Sequence, residues 1–353
     1  MAEERPADDR GMNVQEGVGR VQSRSRQWPT GRRGLFGGVV RADCHHGLMT
    51  SPGESQTAIA ATATTAAAAA RLAERLHGSP GEYLGGAPVA IVHHRPEATR
   101  LERREAFREV YGPIVATIGE PTLYGGSAWG PSVRWRDEDR LVLLSGDRFR
   151  VTLSVHRPEE LERGEHRCFT WGGAWSADEP HDFDLLPYSW QLYRGGPGEW
   201  PGERPDHRLA GDWEQLESAL ELLLAAWAEQ LPVQVPGDWA GFTVVADRDP
   251  GRDLVVSYSP GEGLEVAVDD RDAQQGPERD RLMRECGWQG HDRGWWHSAF
   301  PEADENSAAA AARLAVTELR SRGAAGPQEL TARESGVDDR GELWLPGLGI
   351  RAY

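Results

Sequence analysis

PERDRLMRECGWQGHDRGWWHSAF, residues 277–300, packs a helix, a tryptophan-marked turn and a strand into one short stretch. Pro277 suits a first helical position, Leu282, Met283 and Cys286 recur at helical spacing, and Gly287 stands where a left-handed C-terminal residue is wanted. The spacing predicts a helix of about ten residues ending at Gly287. Trp288 follows, then a polar loop over 289–293, and Gly294 opens a strand over 295–300. Neighbours on a strand point to opposite faces, so Trp295 and Trp296 cannot share a pocket: one packs under a helix and the other sits on the far side of the sheet. Both read as structural aromatics.

Upstream, Asp212 caps the strongest helical pattern of the chain. Trp213, Leu216, Leu220, Leu223, Leu224, Trp227 and Leu231 trace a wide apolar stripe that Pro232 is expected to end. Burying that stripe contributes on the order of ten kcal/mol before entropy, so the sheets on either side in sequence must cover it. Residues 239–246 read as a strand, Leu254, Val256 and Tyr258 alternate in the next, and Leu264, Val266 and Val268 in a third. A helix capped at Asp304 runs through Ala308, Ala312, Ala315 and Leu319 to Gly323. The order is α-β-β-β-α-β-α. Glu265, Ala267 and Asp269, opposite the apolar set, are small or acidic, so the free face of this sheet is not a broad greasy groove.

The preceding region reads as a module of its own. Thr99 and Glu102 match a capping box, and Phe107, Val110, Tyr111, Ile114 and Ile118 line one helix face, with Gly112-Pro113 expected to kink or split the helix. Val133 and Trp135 alternate with Arg134 and Arg136, residues 141–144 give a second strand, and Phe149, Val151, Leu153 and Val155 alternate with Arg150, Thr152, Ser154 and His156. With Phe149 and its partners inward, Arg150 and His156 share the other face and Arg134 and Arg136 join them. The result is a basic stripe suited to an acidic partner segment. Residues 161–164 read as a turn or helix, and 169–171 and 188–193 as strands, with His166 and Cys168 on one strand face and Cys168 buried and inert. Residues 195–205 read as a long Gly- and Pro-rich loop.

Composition bounds the partners. The 353 residues carry 39 Lys+Arg, all of them arginine, against 56 Asp+Glu, a net charge of −17 that opposes nucleic acid and anionic membranes. Arginine in place of lysine, with the alanine and glycine load, reads as genomic base composition. Cys44, Cys168 and Cys286 form no Cys-x-x-Cys pair, so neither a disulfide framework nor a zinc knuckle is indicated, and a reducing cytoplasm is expected. No apolar run approaches the ~20 residues needed to span a bilayer. Cys44-His45-His46, His93-His94 and the loop of Asp178, His181, Asp182 and Asp184 match no metal or hydrolase spacing, and no metal, cofactor or catalytic residue is assigned.

The helix-Gly-Trp turn and Trp-Trp strand, Leu282 through Cys286-Gly287-Trp288 to Gly294-Trp295-Trp296, resemble the actinobacterial domains grouped with the type III secretion chaperone-like and YbjN-like superfamily. The α-β-β-β-α-β-α order over residues 213–322 is similar to theirs. The resemblance implies non-enzymatic protein binding, often as a homodimer. The chain departs from it in lacking an apolar outer sheet face.

The fold expected is therefore α+β: two sequential modules of antiparallel sheet packed against helices, after a disordered N-terminal extension. Residues 1–50 are the extension, with Met49 the expected true start; 51–95 are an Ala-rich, loosely docked helix and linker; 96–209 are module one; 210–325 are the chaperone-like module two; 326–353 are a C-terminal tail. The function expected is a cytoplasmic adaptor or chaperone-like protein that binds an unidentified protein, through Arg134, Arg136, Arg150 and His156 or through Trp295 and Trp296. The alternatives are an immunity-type, toxin-neutralising protein or a hydrolase drawing on His156, His166 and Asp182.

Overall fold

A computed structural model describes residues 66–171, 183–194, 204, 207–237, 239–271, 276–337 and 341–352. The expected N-terminal extension, Met49, Cys44-His45-His46, Asp178, His181, Asp182 and most of the 195–205 loop lie outside them. The first half builds α1 (Ala66–Gly78), β1 (Val89–His93), α2 (Arg100–Ile118), β2 (Tyr124–Ser127), β3 (Gly130–Arg136), β4 (Leu141–Gly146), β5 (Arg150–His156), α3 (Pro158–Trp171) and β6 (Trp190–Tyr193). The second half builds α4 (Trp213–Gln234), β7 (Ala240–Ala246), β8 (Asp249–Ser259), β9 (Gly263–Asp269), α5 (Pro277–Glu285), β10 (Gly290–Asp292), β11 (Trp295–Phe300), α6 (Ser307–Ser321), β12 (Leu330–Val337), β13 (Glu342–Trp344) and β14 (Arg351–Ala352).

The fold is α+β, with two seven-stranded sheets ordered β1-β5-β4-β3-β2-β6-β13 and β10-β11-β9-β8-β7-β12-β14. Every pairing is antiparallel except β12 with β14. The segment bounded as a C-terminal tail supplies three strands: β12 joins the second sheet, β13 crosses to the edge of the first, and β14 returns. Leu343, Trp344, Leu345, Leu348 and Ile350 are buried along that path. Both sheets thus belong to one unit within residues 44–353.

The rod starting at Asp212 lies between the sheets. The Asp212 side chain accepts from the Gln215 N–H at 2.9 Å, an N-cap that satisfies one of the orphan donors of the first turn. Leu216, Leu220, Leu223, Leu224 and Trp227 are buried in the larger core, where Trp227 meets Phe242 of the second sheet edge-on at 5.8 Å. Val233 enters the core of the first sheet, between α1 and α2 on one side and Val133, Trp135, Leu144, Leu153 and Val155 on the other. Pro232 does not end this helix, which continues to Gln234. A proline frees only the carbonyl four residues earlier, and that carbonyl, on Ala228, accepts from Arg104 at 3.3 Å. Nor does Pro113 split α2, whose Thr99 capping box is complete.

Other expectations are corrected. The Ala-rich helix α1 is not loosely docked: Ala69, Leu72, Ala73 and Leu76 are buried in the first core, since small methyl faces let two helices approach closely. Phe149 is not a core residue of β5; it is 50% exposed in the β4–β5 turn, whose N–H groups of Phe149 and Arg150 bond the Asp147 carboxylate. Residues 166–171 are helix, not strand. Leu161, Glu165 and Phe169 recur every four residues on the inner side of α3, and a period of four was read as a period of two over too short a window. Cys168 accordingly sits on a helix and is half-buried. The helix capped at Asp304 begins at Ser307, after Asn306.

The quoted stretch keeps its helix and strand, with differences. Of its helical apolar residues only Met283 is buried, and Leu282 is 49% exposed. The polar loop becomes β10, which hairpins onto β11 through Arg293 (φ 50°) and Gly294 (φ 84°), two left-handed residues suited to a tight primed turn. Trp296 is fully buried and stacks on His291 at 4.6 Å, while Trp295 lies on the opposite face beneath the Arg271 guanidinium. The two tryptophans diverge as the pleat requires.

Candidate functional site

The first sheet is covered on both faces. Its core side packs on α1 and α2; its other side carries Ser132, Arg134 and Arg136 from β3, Leu141 and Leu143 from β4, and Thr152, Ser154 and His156 from β5, facing α3. Arg134 is 2% exposed and makes a bidentate pair with Glu165 (2.8 and 2.9 Å), and Arg136 makes a second with Glu162 (2.6 and 3.1 Å). The Arg134 guanidinium also lies 4.7 Å from the Tyr188 ring centroid. The acidic segment expected to meet the basic stripe is the chain's own α3.

Electrostatics follow from that burial. Burial pushes the Glu165 carboxyl above its ordinary value against the opposing pull of Arg134. Burial, with the Arg134 charge beside it, lowers His156 to about 4, and its Nε2 lies 2.8 Å from the Ser154 hydroxyl. Ser145 and Thr152 hydroxyls bond at 3.0 Å. Arg150 pairs with Asp147 at 3.7 Å in the β4–β5 turn, away from the Arg134 and Arg136 pairs. The stripe therefore divides into a buried arginine, a half-buried arginine, a neutral histidine and a surface arginine. Phe169, at the C-terminal end of α3, packs against Tyr188 at 4.9 Å and Trp344 at 6.5 Å, and Trp344 donates to His207 Nε2 at 3.0 Å.

The second sheet is different. The face holding Phe242, Val244, Leu254, Val256, Leu264, Val266 and Trp296 packs on α4 and α6. The other face presents Gly241 and Thr243 from β7, Val255 and Ser257 from β8, Glu265 and Ala267 from β9, Trp295, His297 and Ala299 from β11, and Arg333 from β12. Glu265, Ala299 and Arg333 are exposed, Val255, Ser257, Ala267, Trp295 and His297 half-buried. Trp239, just before β7, is 41% exposed and lies close to Gly241, where a Cβ would come within 3.2 Å of its ring. Although the residue reaches solvent, the Glu265 carboxyl is pushed up by partial loss of hydration against the sheet, with His297 opposing.

Two further groupings escaped sequence reasoning. Gln230 and Gln234, on α4, reach into the first sheet: Gln234 accepts from and donates to the Gly125 backbone, each at 2.8 Å, and Gln230 joins Ser127 O (2.9 Å) to Trp190 Nε1 (2.8 Å). A Cβ on Gly126 would lie 1.9 Å from Gln230 Oε1, so the Gly125-Gly126 pair admits the helix. That glycine pair was the signal available. At one end of the second sheet, Asp270 accepts from Arg279 (2.6 Å) and pairs with Arg252 (3.3 Å), while Glu318 pairs with Arg252 (3.0 Å) and Arg322 (3.5 Å). Glu318 and Arg322 are an i,i+4 pair of one helix, whereas Arg252, which joins Glu318 to Asp270, comes from elsewhere in the sequence and no local spacing announces it.

A depression of about 410 Å³ lies between the start of α2 and α4, lined by Thr99, Arg100, Arg103, Ala225, Glu229 and Gln230 among others. Arg103 and Glu229 pair across it at 2.7 Å. None of the residues nominated for chemistry lines it. His166 sits on α3, and no hydrogen bond joins it to His156. Among the described residues, no group of three or more His, Cys, Asp or Glu side chains could hold a metal ion, and no helix is long and apolar enough to cross a membrane.

Comparison with known family models, curated proteins and solved structures returns no match for this chain.

Proposed function

We propose that the chain is an adaptor or chaperone-like protein that acts by docking another protein, with the outer face of the second sheet as the docking surface. The observation that carries this reading is the contrast on that sheet. Its inner face is sealed by α4 and α6, whereas its outer face sets a floor of small side chains, the buried Gly241 and Thr243 and the half-buried Ser257 and Ala267, between two solvent-reaching tryptophans, Trp239 and Trp295. A shallow floor rimmed by aromatic residues is the composition of interfaces between proteins, where Trp supplies most of the contact energy. The order α4-β7-β8-β9-α5-β10-β11-α6, which is the expected order with one short added strand, β10, also supports kinship with the type III secretion chaperone-like and YbjN-like domains, whose mode of action is protein binding.

Site-specific photocrosslinking in the cell of origin tests the reading. A photoreactive residue at Ser257 or Ala267 is expected to yield one discrete protein adduct that the same residue at Arg313, exposed on α6, does not. Equal adduct patterns from both faces, or none from either, overturn it.

A further inference from the structure

The floor beneath α3 is built more like a receptor than a core. Of the residues that face the helix, Leu141 and Leu143 are apolar, but Ser132, Arg134, Thr152 and Ser154 are polar and nearly fully buried, and His156 is held neutral. The helix answers with carboxylates: Glu162 and Glu165, three residues apart and so on one side of α3, match Arg136 and Arg134, two residues apart and so on one face of β3. Phe169, four residues beyond Glu165, enters the Tyr188–Trp344 cluster as a large buried apolar anchor. Buried ion pairs give little net stability over apolar packing but fix which partner fits. A helix held this way is exchangeable for any other helix of the same chemistry.

We propose that α3 is a resident pseudo-ligand, and that the polar face of the first sheet binds an acidic amphipathic helix of a partner protein by displacing it. The partner helix carries Glu-x-x-Glu followed by an aromatic residue four positions after the second glutamate. This rests on the reading of the chain as a protein-docking module and adds a second surface and a partner chemistry to it. In the free protein α3 holds the site closed, so apparent affinity for a partner falls by the fraction of time that α3 is away.

The test uses the full chain and a fluorescein-labelled synthetic peptide of residues 158–171 with Cys168→Ser. Glu162→Gln in the chain loosens the half-exposed Arg136 pair and leaves the buried Arg134 pair intact, so the variant is expected to fold. It binds the peptide about 10-fold or more tighter than the wild type. Arg136→Gln added to that variant abolishes the gain, and a peptide with Glu162 and Glu165 changed to glutamine binds neither chain. An unchanged affinity for Glu162→Gln, or a gain that survives Arg136→Gln, overturns the proposal. Hydrogen exchange on the unaltered chain supplies an independent reading: α3 amides exchange on the order of 100-fold faster than those of α2 and α4. Exchange of α3 at the rate of α4 makes it a permanent part of the core and also overturns the proposal. Should the peptide arms fail while crosslinks from Ser257 persist, only the α3 inference falls.

Discussion

The two sheets are near equals in size and share α4, yet they treat their second faces oppositely. The first buries arginine, serine, threonine and histidine under an acidic helix; the second leaves glycine, threonine, serine and alanine under no helix of the described chain. In each, a strand alternates apolar with polar side chains, and from alternation alone both polar faces read as solvated. The difference lies in what else the sequence provides. Only the first sheet is followed by a helix with carboxylates at a spacing that meets its arginines. Polar alternation thus fixes which face is not the apolar core, and leaves open whether that face meets water or a charged partner.

Removing one buried charge breaks the comparison hardest. Arg134→Met strands Glu165 in a site where burial already pushes its carboxyl up, and is expected to cost about 3–5 kcal/mol in urea unfolding. Arg134→Met with Glu165→Leu removes both charges and is expected to recover most of that loss. Arg333→Met on the exposed face of the second sheet is expected to stay within roughly 0.5 kcal/mol. Equal costs for Arg134→Met and Arg333→Met would erase the distinction between the faces.

Acidity probes the same floor. His156 is lowered to about 4 from an ordinary 6.5, so the folded state prefers the neutral ring. Its contribution is therefore present above pH 6.5 and is lost as pH falls through about 4, by up to roughly 3 kcal/mol. Glu165, pushed up, works in the opposite sense in the acidic range. The difference in stability between wild type and His156→Gln isolates the histidine: it should shrink between pH 7 and pH 4. A difference that stays constant over that range would place His156 in water.

How much of this was legible follows from the length scale of each signal. The rod at Asp212, the Thr99 capping box and the Val151–Val155 alternation are set by residues within about two turns or one strand of one another, and the structure contains all three. The arginine stripe was legible as a set of residues, and its burial was not, because residues 161–164 read only as a turn or helix and 169–171 as strand, so no helix carrying both Glu162 and Glu165 was in view. The three strands after α6 were missed for a similar reason. Leu343, Trp344, Leu345, Leu348 and Ile350 show no sustained period, and each is buried by partners more than a hundred residues away in sequence or by its own crossover. Nothing local marks Asp270 as a buried acid either, and Glu318, although four residues before Arg322, reads locally as an ordinary helix-surface pair; the fold brings Arg252 to both.

A subtler contrast concerns how α4 grips each sheet. Against the second it uses apolar side chains; against the first it adds Gln230 and Gln234, which bond strand backbone. Gln234→Leu leaves the Gly125 N–H and C=O groups without their partner in a buried site, and is expected to cost about 2 kcal/mol. Leu223→Met, in the apolar stripe of the same rod, nearly conserves volume and should cost less than about 1.5 kcal/mol. Native-state hydrogen exchange should then show β2 opening before β8 in Gln234→Leu. The reverse order would make the glutamines incidental to the grip.

The smallest expected effect on stability discriminates most sharply on function. Ala299 is exposed on β11, beside Glu265 on the open face and remote from α4 and α6. Ala299→Arg adds a bulky charge to a floor of small side chains and should change unfolding free energy by no more than roughly 0.5 kcal/mol. If the face docks a protein, that same substitution should remove the adduct formed from a photoreactive residue at Ser257, because a long charged side chain inside a packed interface must be desolvated without a partner. A stable Ala299→Arg chain that still forms the adduct in full yield would show that the second sheet's open face is simply solvated, and would leave the α3-covered floor as the surface to pursue.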